Sequence, residues 1–202
     1  MQCNRNNNWA YNIKTILDSH GMSDIWLEQF NIEIPLQFIK TRLYDMYYQR
    51  WHAEINNSSR LRLYSMYKYQ FEFASYLDLI TEPKYRYTLS RFRLSCHNLA
   101  IESGRFDNTR KIDRLCSFCS MNVIENEYHF LLCCPFYSEL RRTYLKPYFC
   151  RWPSINKFIN ILTTTSKDTQ LKLAKFIHFA LKKRNDRLET ASFIHLNITC
   201  NR

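Results

Sequence analysis

Glycine is nearly missing from this 202-residue chain: Gly21 and Gly104 are the only two. Loops that wrap phosphate groups, of the Walker or dinucleotide-binding kind, need several glycines at fixed offsets, so neither is encoded. Long apolar runs are missing too. No stretch of roughly 18 apolar residues occurs, and Met1 to Lys14 is polar and asparagine-rich where a signal peptide would carry an apolar centre. The expectation is a soluble, intracellular protein, cytoplasmic or nuclear, with no membrane partner.

Acidic groups suited to catalysis are sparse as well. Glu125 and Glu127 alternate beside a histidine, but a nuclease centre needs further carboxylates, and the sequence does not group them. Acids placed so close to a cation site serve more often to position its ligands. His20, His52, His97, His178 and His195 are scattered, with no companion at metal or catalytic spacing. Nothing local supports a nucleophile, so the chain reads as a binding protein without enzymatic activity or a small-molecule substrate.

What the chain does have is cysteine in one place. Four of its eight cysteines fall within nineteen residues: Cys116, Cys119, Cys133 and Cys134. With His129 they spell C-x2-C-x9-H-x4-C if Cys134 closes the set. The two-residue gap lets both thiolates face one ion from a tight turn, and His followed four or five residues on by Cys sets ligands about one helical turn apart. Three thiolates and one imidazole suit a tetrahedral zinc. With every position filled by protein, no water is activated, so the site is structural. Cys133 competes with Cys134 for the fourth place. In a helix both would lie near the His129 face, and Pro135 favours Cys134 by pushing it toward an extended backbone. The other cysteines, Cys3, Cys96, Cys150 and Cys200, are dispersed and suit free thiols in a reducing compartment.

Charge is distributed as unevenly as cysteine. Met1 to Leu140 carries 16 Lys and Arg against 15 Asp and Glu, whereas Arg141 to Arg187 carries 12 against Asp168 and Asp186 alone. Most of the net +11 therefore follows the cysteine cluster. A basic segment of this kind attracts phosphate chains through counterion release. Arg141, Arg142, Lys146, Arg151, Lys172, Lys175, Lys182, Lys183 and Arg184 are the candidate phosphate contacts. Arg91, Arg93, Arg105 and Arg114 form a second line upstream. The many tyrosines, Tyr44, Tyr47, Tyr48, Tyr64, Tyr67 and Tyr69 among them, are assigned to a helical core in preference to base stacking.

Periodicity predicts helices nearly throughout. They cover Trp9 to Ser19, Ser23 or Asp24 to Phe30, Pro35 to Ile55, Ser58 or Ser59 toward Phe73, Tyr76 to Ile80, and Pro83 to Asn98. After a turn-like Gly104 to Arg114 and the cysteine segment come Tyr137 to Leu145, Ser154 to Leu162 and Asp168 to Leu188. A small hairpin near Cys116 is the one expected exception. The fold class is mainly α, a helical array with a small zinc-stapled Cys-Cys-His-Cys knuckle. It is organised as an aromatic-rich helical region (1–88), a zinc-binding segment (89–145) and a basic helical tail (146–202).

Three stretches resemble a known family. They are Leu89-Ser-Arg-Phe-Arg-Leu-Ser-Cys-His-Asn-Leu-Ala-Ile-Glu-Ser-Gly-Arg-Phe106, Arg114-Leu-Cys-Ser-Phe-Cys119 and Glu125-Asn-Glu-Tyr-His-Phe-Leu-Leu-Cys-Cys-Pro-Phe-Tyr137. They are similar to the zinc-binding segment at the C-terminal end of non-LTR retrotransposon reverse transcriptases. The likeness is strongest from Leu89 to Arg142 and looser over Trp9 to Ile80 and Trp152 to Arg187. It implies the ligands Cys116, Cys119, His129 and the cysteine before proline, Cys134. It also implies a module that grips template RNA or target DNA beside a reverse transcriptase domain. The family's catalytic aspartates belong to a separate upstream domain, and no paired-aspartate motif occurs here. The competing expectations are a zinc-stabilised protein-interaction module and an inert remnant of a retroelement.

Overall fold

The computed structural model describes residues 8–28 and 36–199, with side chains to residue 190. Among these residues the structure is mainly helical, as the periodicity predicts; the only β pairing is an isolated antiparallel bridge between Leu115 and Ile124. Contacts group the chain into two compact units, 1–57 and 58–202. Cys3, Phe30, Pro35 and Cys200 lie outside the described residues, as does the far end expected for the second helix.

The first unit contains α1 (Trp9–Ser19), α2 (Ser23–Leu27) and α3 (Leu36–Asn57). Asn8 caps α1, its side chain accepting from the Ala10 amide at 3.1 Å. Gly21, at φ +65°, ends it. The Gly21 and Met22 amides donate back to the carbonyls of Asp18 and Leu17, which closes a Schellman turn that glycine enters without strain. On α3 the expected stripe of Ile39, Leu43 and Met46 is half-buried, while Tyr44, Tyr47 and Tyr48 are exposed. The expected tyrosine core is therefore corrected: these three rings and Tyr69 face outward, and of the six named tyrosines only Tyr67 is fully inside.

The second unit holds α4 (Arg62–Tyr67), α5 (Tyr76–Leu79), α6 (Pro83–Arg93), α7 (Ala100–Ser103), α8 (Ser138–Tyr144), α9 (Pro147–Cys150), α10 (Ile155–Thr163) and α11 (Lys167–Thr199). Pro83 supplies the first turn of α6, where its missing N–H costs nothing. The helix stops at Arg93, short of the Asn98 expected. Ser95 adopts φ +54°, and the Ser95 and Cys96 amides donate to the carbonyls of Phe92 and Arg91. This is the same Schellman turn as at Gly21, built on serine. Likewise α4 ends at Tyr67, well before Phe73.

The core lies between α6 and α11. Leu89 and Phe92 of α6 meet Leu173, Phe176, Ile177 and Ala180 of α11, and Ile161 and Leu162 of α10 close one side. Phe130 sits at the centre, with its ring 5.7 Å from Phe92, 5.9 Å from Phe176 and 4.7 Å from Tyr137. Truncating so enclosed a ring to alanine costs about 3–5 kcal/mol. Gly104 has its own reason: a Cβ there would lie 2.8 Å from the side chain of Arg114. Arg114 spends its guanidinium on the carbonyls of Thr109 and Ile101.

Candidate metal centre

The residues 114–125 fold back on themselves. The Cys116 amide donates to the Val123 carbonyl and the Glu125 amide to the Arg114 carbonyl, both at 2.9 Å, around the Leu115–Ile124 bridge. This is the small hairpin expected near Cys116. Asn122, at φ +52°, turns its far end, a conformation that asparagine tolerates better than most residues. Cys116 and Cys119 thus project from one knuckle.

His129 and Cys134 are brought together by a different device. Residues 129–133 form a π turn in which the Cys134 amide donates to the His129 carbonyl at 2.8 Å. Five residues along an α-helix amount to about 500°, which would carry Cys134 roughly 140° away from the His129 face. A turn closed between i and i+5 winds it back over His129 instead. Cys134 then leaves the turn extended, at φ −58° and ψ 121°, as the following proline requires. Asn126 starts the turn by accepting from the His129 amide at 2.8 Å.

The four donor atoms of Cys116, Cys119, His129 and Cys134 all lie within 4.8 Å of one another. Cys133 is outside the cluster, half-buried, its thiol pushed up by burial. Around a tetrahedral zinc with bonds of about 2.3 Å to sulfur and 2.0–2.1 Å to nitrogen, two sulfurs lie about 3.8 Å apart and sulfur and nitrogen about 3.6 Å. The Sγ atoms of Cys116 and Cys134 are 3.8 Å apart, and Cys119 Sγ is 3.4 Å from His129 Nε2. These two separations match such a site, and the four donors together could hold a metal ion.

Protonation points the same way. The Cys134 thiol shares a hydrogen bond with Cys116 that holds the Cys116 thiol well below its ordinary value, against the opposing effect of burial. That same shared contact and burial push Cys134 up. Crowded donors competing for protons are what a thiolate-binding cation relieves, since it displaces protons when it binds.

Buried charge anchors the site to its surroundings. Glu125 accepts from Arg184 Nε and a terminal nitrogen of the same guanidinium at 2.9 and 2.8 Å, and also from the Ala100 amide at 2.7 Å. Glu127 accepts from Arg62 at 2.8 Å and from the Ser95 hydroxyl at 3.2 Å, with His97 Nε2 3.4 Å away. Burial alone would raise the Glu127 carboxyl, but His97 and Arg62 outweigh it and hold the group below its usual range. The two alternating acids thus pin the chain on both sides of Asn126, just ahead of His129. Arg141 is buried too, donating to the carbonyls of Phe130 and Cys134 at the end of the π turn. Its charge would help offset the one excess negative charge that three thiolates would leave around a divalent ion.

The candidate phosphate contacts therefore divide. Arg141 and Arg184 are corrected: they lie inside, 6% and 5% exposed, with their guanidinium groups engaged as described. Lys183 is half-buried, donating to the Phe136 carbonyl at 3.1 Å with its ammonium over the Phe136 ring. Lys175 is half-buried over Tyr85, and Lys172 pairs with Asp168 at 3.0 Å. Arg142, Lys146, Arg151 and Lys182 are exposed. Of the second line, Arg93 is buried, donating to the Leu162 carbonyl and lying over the Tyr76 ring. Arg105 is held by Glu102 and Ser59, and Arg91 reaches the Cys96 carbonyl. Sequence reading passed over Asn126 and Lys157. Asn126, three residues ahead of His129 in capping position, was the signal available for the first.

Compared with family models, curated proteins and solved structures, the chain matches none.

Proposed function

We propose that this chain is a non-catalytic, zinc-stapled module that binds nucleic acid, with a role similar to that of the tail of non-LTR retrotransposon reverse transcriptases. The observation that carries the reading is the Cys116, Cys119, His129 and Cys134 cluster, whose donor spacing fits a tetrahedral zinc. Bound there, the ion would supply a cross-link between the hairpin and the π turn and would offer no open coordination position. Comparable structural sites contribute about 10–16 kcal/mol, which is folding energy for the segment they close. The resemblance over Leu89 to Arg142 supports the same role and implies a reverse transcriptase domain as protein partner.

The exposed cations Arg142, Lys146, Arg151 and Lys182 support the nucleic-acid part of the reading. The test is to titrate the zinc-loaded full chain with a fluorescent RNA or DNA strand at increasing salt. Three to five phosphate contacts give a slope of about −2 to −4 in log affinity against log salt, near −0.7 per contact for single strands. Binding that ignores salt would overturn the reading.

One observation favours a second reading, docking of another protein. Ile112, Leu115, Met121 and Val123 are exposed around a cavity of about 540 Å³ beside the hairpin. Under this reading a Met121→Asp change abolishes partner capture and leaves zinc content and nucleic-acid affinity untouched.

A further inference from the structure

Between Glu139 and Asp168 the sequence contains no carboxylate side chain, and within that interval the chain presents cations and aromatic rings together. Arg142 and Arg151 line one cavity of about 370 Å³ with Arg141 at its wall. Arg141 is engaged with carbonyl groups, whereas Arg142 and Arg151 are exposed. The cavity has room for a phosphate, and no acidic group lines it.

Two aromatic rings flank this cavity in the chain. Trp152 is 81% exposed and Tyr148 is 58% exposed. Lys157 ties them together: its Nζ lies 4.8 Å from the Tyr148 ring centroid and donates to the carbonyls of Arg151 and Trp152 at 2.6 and 3.2 Å. Trp152 is also held at φ +58°, a left-handed conformation that a bulky residue before proline adopts only when its surroundings impose it. A large apolar ring set out in water, on a backbone that resists it, beside unpaired guanidinium groups, is an arrangement that packing does not explain.

Resting on the reading above that the module binds nucleic acid, we infer that the surface from Arg142 to Trp152 is a site for an unpaired strand. Its phosphate enters the cavity of Arg142 and Arg151, and adjacent bases stack on Trp152 and Tyr148. Base-on-aromatic stacking needs the face of the base to be free, which a duplex does not offer, and it tolerates any sequence. The charges are complementary: the strand brings negative phosphates to a cavity that two exposed guanidinium groups line and no carboxylate does.

The test uses the zinc-loaded full chain and three probes: a labelled oligothymidylate of about twelve nucleotides, an abasic strand of the same length, and a duplex. Trp152→Ala, Trp152→Gly and Tyr148→Ala should each weaken oligothymidylate binding about 5- to 150-fold and leave the abasic strand unaffected. Glycine accepts φ +58° freely, so Trp152→Gly removes the ring without disturbing the turn. In a Trp9→Phe, Trp26→Phe, Trp51→Phe background, Trp152 is the only tryptophan, and its fluorescence should be quenched by oligothymidylate and not by the abasic strand. Variants that bind oligothymidylate like the wild type would overturn the inference, as would equal losses for both strands. A chain that binds none of the three probes at low salt would instead overturn the nucleic-acid reading on which it rests.

Discussion

Two basic stretches of similar composition meet different fates in this protein. Lys182-Lys183-Arg184 on α11 turns mostly inward, with only Lys182 exposed, whereas Arg142, Lys146 and Arg151 all stay at the surface. The difference lies in helix phase. Leu173, Ile177 and Ala180 form the buried stripe of α11, and residue 184 continues it, so the guanidinium falls on the core side where Glu125 awaits it. The segment from 142 to 152 is interrupted by Pro147 and followed by Pro153, giving short helices and a turn whose polar side chains have no core to enter. A run of positive charge thus says little about its partner until its register on the core is known. Even neighbours separate: Arg141 of α8 is buried and Arg142 exposed.

The contrast breaks most visibly at the buried pair. Arg184→Ala or Glu125→Ala leaves one charge without its partner and should lower stability by about 3–5 kcal/mol in urea unfolding of the zinc-loaded chain. A loss below about 1 kcal/mol would mean the pair is solvated in solution. Arg141→Ala should cost somewhat less, about 1.5–3 kcal/mol by the same measurement, because its direct partners are two carbonyls, which lose a charged donor, and not a carboxylate. On the outward side, Arg142→Ala with Arg151→Ala should change stability by no more than about 0.5 kcal/mol. The same pair should make the salt slope for single-strand binding shallower by about 1.4, two contacts at 0.7 each. Lys182→Ala with Arg187→Ala should alter that slope least, since Asp186 and Glu189 share the groove of Lys182 and offset its charge. An equal or larger change from this last pair would move the binding surface to α11.

Much of the helical scaffold was legible because its punctuation is local. Asn8 and Ser154 cap where capping residues are expected, the Ser154 side chain accepting from the Lys157 amide at 3.3 Å, and Pro83 opens α6. The cysteine and histidine spacing pointed to Cys116, Cys119, His129 and one of Cys133 and Cys134, with Pro135 favouring Cys134, which the fold brings to the other three. What escaped the reading depends on distant contacts or on rare backbone states. The π turn that brings Cys134 and not Cys133 over His129 has no pattern of its own, since a period of 3.6 puts Cys133 on the His129 face and carries Cys134 away from it. With so few glycines, left-handed positions fall on Ser95, Asn108, Asn122 and Trp152, and a serine or tryptophan gives no warning of them. The short helices α7 and α9 span a single turn each, too little for periodicity to register. The inward course of Arg141 and Arg184 follows from acceptors supplied by segments far along the chain.

The metal is the central claim, and its stoichiometry is the most direct test. Elemental analysis of wild type, Cys133→Ser and Cys134→Ser, each purified without chelator, should give one zinc, one zinc and almost none, with circular dichroism recording loss of order in the third. Wild-type protein that carries no metal yet keeps its full helical signal, or a Cys133→Ser variant that loses zinc while Cys134→Ser retains it, would contradict the account.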